Sequence, residues 1–263
     1  MTKPAGRASL LEVRSLTVRY GGVHALDDVS LSVDEGTLVG LIGPNGAGKT
    51  TCIDALTGFT PHRGSVWLDG SCIDGFPPHR RARLGLVRTF QSVELFDDLD
   101  VRGNLLVAAA RPRWWQPLAD FVAPVRRGAP GASVARAVEL LGVEHLLDRP
   151  TGELSEGERK LVGVCRALAR TPRLLLLDEP AAGLDTTESL DLGARLRAVV
   201  DAGVTVLLVD HDMDLVLNIC DTIHVLERGA LLASGRPEEV IRDDRVVAAY
   251  LGAGAGSAPV VGR

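Results

Sequence analysis

Apolar and polar positions follow two different rhythms along this chain. Leu11-Glu12-Val13-Arg14 and Leu16-Thr17-Val18-Arg19-Tyr20 alternate with a period near two, as a strand with one buried face does. Val23 to Val33 carries a similar alternation, interrupted at Asp27-Asp28, and Gly21-Gly22 between the two stretches is a turn signal. Ser65-Val66-Trp67-Leu68 reads as another strand, ending in the Asp69-Gly70 turn. These segments predict an N-terminal antiparallel β layer. Elsewhere the apolar runs are unbroken. Leu38 to Ile42, Leu174 to Leu177 and Val204 to Val209 are strand-sized and predict strands buried on both faces. Thr51 to Leu56 and Ser189 to Val200 suit helices, and strands alternating with helices imply a mostly parallel sheet. Ile223 to Leu226 and Ala230 to Ala233 flank Glu227-Arg228-Gly229, a hairpin turn.

From about Ser92 to Leu154 strand signals stop, and Ala, Leu, Arg and Pro dominate. Val134, Val138 and Leu141 recur at helical spacing with Ala137 beside them, which predicts an α-helical subdomain inserted into the α/β core. The expected organisation is one domain over 10–252. Its α/β core covers 10–91 and 171–252, and its helical subdomain covers 92–170. The ends 1–9 and 253–263 are expected to be flexible tails. Arg111 to Trp115 and Val125 to Gly128 are basic and partly aromatic. They suit a solvated loop, or a contact with a membrane-embedded partner or lipid headgroups.

Composition narrows the class. With 263 residues and 46% hydrophobic side chains the chain can bury a sizeable core. Its longest apolar runs fall well short of the about 18 residues that cross a bilayer, and Met1 to Ser9 is short and polar, so a cytoplasmic protein is expected. Cys52, Cys72, Cys165 and Cys220 lack metal-ligand spacing and read as buried, reduced thiols. The six histidines do not cluster, and a formal charge of -5 disfavours a nucleic-acid surface.

The chemistry concentrates in Gly43-Pro44-Asn45-Gly46-Ala47-Gly48-Lys49-Thr50, followed by Thr51. Every fixed position of the phosphate-binding loop G-x-x-x-x-G-K-S/T is present, between a predicted strand and a predicted helix. Glycines let such a backbone wrap closely and aim its N–H groups at a polyphosphate, and the helix start adds a favourable dipole. Lys49 can bridge the outer phosphates, and the Thr50 hydroxyl can ligate Mg²⁺. Leu174 to Leu177 would deliver Asp178 to the same metal and Glu179 to the water that attacks the γ-phosphate. His211 follows the next buried strand and should emerge at the same sheet edge, within reach of the γ-phosphate. Ser155 with Glu158 three residues on forms a capping box opening a helix, which local structure alone would explain.

These motifs in this order resemble an ATP-binding subunit of an ABC transporter over about Leu11 to Gly252. The likeness is strongest to ATPase subunits of branched-chain amino acid importers. It is carried by Val87-Arg88-Thr89-Phe90-Gln91, Leu95-Phe96, Asn104 to Ala108, Glu179 to Asp185, Asp210 to Met213 and Ala249 to Gly252. The resemblance implies that Tyr20 stacks on adenine and that Gly43 to Thr51 hold the phosphates of ATP. It implies that Gln91 touches Mg²⁺ or the attacking water and senses the membrane subunit. Asp185 would lie at the dimer interface, and Ser155, Gly157 and Glu158 would act on ATP held by the facing subunit. Implied partners are transmembrane permease subunits, a second ATPase subunit that is a different chain or a second copy, and indirectly an extracytoplasmic solute-binding protein. The implied location is the cytoplasmic face of the membrane.

The chain departs from the common L-S-G-G-Q signature at Glu156 and Glu158. An acid at the fifth position is expected to weaken ATP sandwiching modestly: two unit charges about 10 Å apart in a wet site cost only about half a kcal/mol, a repulsion that is tolerable if Glu158 points back to cap its helix. Two competing classes remain. A soluble ABC ATPase of the iron–sulfur assembly type would share the motifs, whereas a P-loop kinase would have no use for the helix start at Ser155.

Overall fold

The computed structural model describes residues 8–89, 95–110 and 131–253, with side chains as far as Tyr250. Gln91, the Arg- and Trp-rich stretches and both tail ends lie outside the described residues. The chain divides into two compact units, Met1–Gln91 with Arg173–Arg263, and Ser92–Pro172.

The first unit holds two sheets. β1 (Ser9–Tyr20) pairs antiparallel with β2 (Val23–Asp34) and, on its other side, with β4 (Arg63–Leu68), which pairs with β5 (Ser71–Cys72). Leu11, Val13, Leu16 and Val18 are all buried although Val13 to Leu16 is a step of three. The register shifts there, with Ser15 at φ 51°, so a bulge restores the inward face. The same device explains the break at Asp27-Asp28: Asp28 sits at φ 52°, between buried Leu26 and Val29.

The second sheet runs β10-β9-β3-β8-β7-β6. β3 (Leu38–Ile42), β6 (Leu86–Arg88), β7 (Leu174–Asp178), β8 (Thr205–Val209) and β9 (Thr222–Glu227) are parallel, and β10 (Ala230–Gly235) returns antiparallel from the Arg228-Gly229 turn. Every residue of β3, β7 and β8 is buried, as unbroken apolar runs require. The helices of this unit are α1 (Lys49–Thr57), α2 (Pro78–Arg83), α6 (Thr186–Asp201), α7 (Met213–Ile219), α8 (Pro237–Val240) and α9 (Asp244–Ala253). In the second unit α5 (Glu156–Leu168) packs against α3 (Val101–Ala109) and α4 (Ala132–Leu141), which buries Val134, Ala137, Val138 and Leu141. Cys52, Cys165 and Cys220 are buried, but Cys72 is exposed, because it lies on the two-residue edge strand β5.

Two buried polar groups hold the first unit together. Arg81, 1% exposed, donates to Ala55 O (2.9 Å) and Leu56 O (2.7 Å) in the last turn of α1, and to Phe76 O and Asp74 O (2.9 Å each). It supplies the donor to Leu56 O at the helix end and a second donor to Ala55 O, which also accepts from Gly58 N at 3.2 Å. His224 of β9 donates from Nε2 to Ser32 O of β2 at 3.0 Å, linking the two sheets.

Arg81→Leu strands Leu56 O, Phe76 O and Asp74 O and is expected to cost about 3 kcal/mol, read as a lower urea midpoint. Burial pulls the pKa of His224 below its ordinary value. The unfolded chain then takes up the proton first as pH falls. The stability from keeping this ring neutral is complete above about pH 6.5 and is lost as pH drops below that. Urea midpoints between neutral and mildly acid pH should therefore slope less steeply in His224→Leu than in the parent.

Candidate nucleotide site

The phosphate-loop sequence takes the shape its residues predict. β3 ends at Ile42, the chain turns through Gly43 to Gly48, and α1 begins at Lys49, two residues earlier than the sequence suggested. Gly43 (φ 152°) and Gly48 (φ 103°) cannot be replaced without strain. A Cβ would stand 2.2 Å from Leu226 O at the first and 2.7 Å from Ala25 O at the second. The first turn of α1 carries no acidic side chain of its own that would offset the positive end of the helix. Thr50 is exposed in that turn, and Asn45 and Gly46 are exposed in the loop.

Lys49 is buried, and its Nζ donates to Gly43 O at 2.7 Å and Pro44 O at 3.3 Å. Burial lowers its pKa, and the carboxylates of Glu179, Asp178 and Asp210 oppose that shift. These three come from the ends of β7 and β8, and β8 lies directly beside β3. The parallel sheet thus brings Lys49, Asp178 and Glu179 to one carboxyl edge.

Asp178 is 3% exposed. Its Oδ2 accepts from Arg88 Nη2 at 2.7 Å, and the same guanidinium grips Asp54 of α1 through Nη1. Its Oδ1 is buried with no hydrogen-bond partner among the described residues. Burial raises the Asp178 pKa, while Arg88 acts against it. Glu179 has φ 50°, a left-handed conformation unusual for a side chain of this kind, held by its N–H bonding Val209 O at 2.7 Å. His211 Nδ1 stands 4.0 Å from Glu179 Oε2 and 3.6 Å from Asp210 Oδ1.

Asp210 is the residue that motif reading undervalued. It is fully buried and accepts three backbone N–H groups, from Ala181 (3.0 Å), His211 (2.8 Å) and Asp212 (3.0 Å). One carboxylate thereby fixes the loop after β7 to the loop after β8. Its signal in the sequence was an acid directly after a buried strand, beside a candidate histidine.

The remaining candidates sit on other elements. Tyr20 ends β1 and is 54% exposed, with its hydroxyl 3.2 Å from Thr60 Oγ1. Asp185 N-caps α6 in a capping box with Glu188. Ser155, Gly157 and Glu158 belong to the second unit. There Ser155 Oγ accepts from Glu158 N (3.2 Å), and Glu158 Oε2 accepts from Ser155 N (2.8 Å). Arg149 donates to Glu158 Oε1 at 2.7 Å. The Ser155 N–H and then Arg149 hold the Glu158 carboxyl below its usual range. The outer side of the phosphate loop, Pro44 to Ala47, lines a cavity of about 530 Å³ together with Arg245, Ala248 and Ala249 of α9.

Comparisons with known proteins agree with this geometry. Residues 26–182 match the ABC transporter family model, and residues 230–256 match a model described as branched-chain amino acid ATP-binding cassette transporter. The chain is 43% identical over 251 residues to the high-affinity branched-chain amino acid transport ATP-binding protein BraF of Pseudomonas aeruginosa, covering 92% of this chain and 98% of the relative. It is 37% identical to the lipopolysaccharide export system ATP-binding protein LptB of Escherichia coli, covering 92% and 97%. Among solved structures, an ATP-binding cassette of an ABC transporter in its ADP conformation superposes with a TM-score of 0.82 at 32% identity, over 93% of this chain and 99% of that one. In sequence and in fold, over most of its length, the chain belongs to the ABC transporter family as an ATP-binding cassette.

Proposed function

We propose that this cassette binds and hydrolyses ATP to drive a membrane importer for branched-chain or related amino acids. The observation that carries the solute class is the match of residues 230–256 to the branched-chain model, on top of 43% identity to BraF. Those residues include α9, which borders the phosphate loop. Identity to LptB supports a second reading, in which the cassette powers an export system. Among the described residues no helix is long and apolar enough to cross a membrane. As a relative of transport ATP-binding proteins, the chain would work from the cytoplasmic face through permease subunits. Its other partners would be a facing ATPase subunit and, indirectly, a solute-binding protein.

In this reading Gly43 to Thr51 wrap the phosphates, Lys49 Nζ leaves the loop carbonyls for the outer phosphates, and Tyr20 offers its exposed ring to adenine. The residues present fit Mg²⁺, since Asp178 Oδ1 is a buried oxygen in need of a cation and Thr50 is exposed at the helix start. Gln91, outside the described residues, would complete that set. When bound, the ion would offset charge on the β- and γ-phosphates. Glu179 would take the proton of the attacking water, with His211 beside it donating toward the γ-phosphate. Ser155, Gly157 and Glu158 would meet ATP held by the facing subunit, and Asp185 would lie at the dimer interface.

Three measurements test the reading. Reconstituted with its permease subunits, the cassette should hydrolyse ATP faster when a solute-binding protein loaded with leucine is added; stimulation by a lipid cargo instead would favour the export reading. Glu179→Gln should keep ATP binding and lose turnover by about 10²- to 10⁴-fold, whereas near-parental turnover removes Glu179 as the base. Because the Glu158 carboxylate is turned back onto its own helix and paired with Arg149, its repulsion of ATP should be smaller than the sequence implied. Glu158→Gln in the assembled transporter should therefore change ATPase rate and ATP affinity by less than about twofold; a clear gain in affinity would restore the repulsive role.

A further inference from the structure

Arg88 is the last residue of β6, and its side chain is 8% exposed. It reaches two carboxylates far apart in sequence, Asp54 on α1 and Asp178 at the end of β7. The strand it ends on grips β7 a second time: Thr89 N donates to Leu176 O at 2.9 Å, and Thr89 Oγ1 accepts from Asp178 N at 3.4 Å. A planar guanidinium can hold two carboxylates at fixed angles, whereas an ammonium is a point charge that cannot reproduce the fork.

The consequence lies in what each Asp178 oxygen faces. Oδ2 is tied to Arg88, while Oδ1 is buried and has no partner among the described residues. A second cation stands near. Asp178 contributes to the charge around Lys49, yet Lys49 Nζ bonds loop carbonyls and not this carboxylate. If Arg88 did not occupy Oδ2, Asp178 would be free to turn toward Lys49. That would take a phosphate ligand and a metal ligand out of use together.

We propose that Arg88 is a positioning residue for ATP-bound Mg²⁺. It ties Asp178 Oδ2 to Asp54 of α1, so that Asp178 presents Oδ1 alone to the metal and Lys49 is left to the phosphates. The proposal rests on the reading of Asp178 as the metal carboxylate. It also couples two elements, since the helix that begins with Lys49 and Thr50 and the strand that delivers Asp178 are bolted through one side chain.

The test uses the full chain in a Glu179→Gln background, where binding is read without turnover. Trinitrophenyl-ATP is titrated in EDTA and across Mg²⁺ concentrations, and Mn²⁺ uptake in the presence of ATP is counted by electron paramagnetic resonance. Arg88→Met should weaken the metal-dependent part of binding by about tenfold, the usual scale for groups that orient a metal ligand, and should weaken affinity in EDTA, where only the share of Lys49 is lost, by clearly less. Arg88→Lys should restore it only in part, and Asp54→Asn should shift it in the same direction by less. A merely structural ion pair would instead alter both conditions equally. If Arg88→Met has the parental Mg²⁺ and Mn²⁺ titrations while Asp178→Asn does not, Arg88 does not position the carboxylate and the proposal is overturned. If Asp178→Asn is also parental, the metal-carboxylate reading falls, and the proposal with it. Should Arg88→Met fail to fold, unchanged metal titrations in both Arg88→Lys and Asp54→Asn overturn it equally.

Discussion

The site depends on keeping a lysine charged inside the protein. Lys49 is buried at the start of α1, where desolvation alone favours the neutral amine. Three carboxylates, Asp178, Glu179 and Asp210, supply the opposing field. Those acids must themselves be held apart in a partly dry setting, so each needs its own support. Asp210 takes three backbone N–H groups, and Asp178 takes Arg88. Glu179 is aimed by a left-handed backbone pinned to Val209. The buried cation is thereby balanced by acids of which Asp178 and Asp210 already have other partners, while its own hydrogen bonds go to the loop carbonyls.

That balance explains the strand order. Asp178 and Asp210 arrive at the same edge because β7 and β8 are neighbours in parallel register, with Asp178 opposite Val209. β3 lies next to β8 and delivers the phosphate loop beside them. Buried parallel strands cannot slip without stranding backbone donors and acceptors. The apolar runs Leu174 to Leu177 and Thr205 to Val209 therefore act as rulers that set where the acids emerge.

Much of this was legible in the sequence where the physics is local. The loop, the capping box at Ser155, the Asp69-Gly70 turn and the buried runs are read from neighbouring residues. The Arg88 bridge was not, because its partners lie 34 and 90 positions away and only the sheet brings them together. Asp210 was legible as an acid after a strand, but its three backbone bonds depend on how two loops meet. The step of three from Val13 to Leu16 hid a bulge, since strict alternation cannot signal an inserted residue. Cys72 was misread because burial of a cysteine follows its strand's place in the sheet, and β5 is an edge.

The helix start at Ser155 shows that a local explanation and a functional one need not compete. Its hydroxyl oxygen accepts from Glu158 N, which completes the cap. A hydroxyl that accepts keeps its own O–H to donate, so the same side chain can cap α5 and still bond an anion beyond the helix. Glu158 closes the box from the other side, and Arg149 offsets its charge. The positive end of α5 is therefore not cancelled by the acid that caps it. A departure from the common signature that looked like a penalty for an incoming triphosphate is, in this geometry, part of what orders the helix start that would meet it.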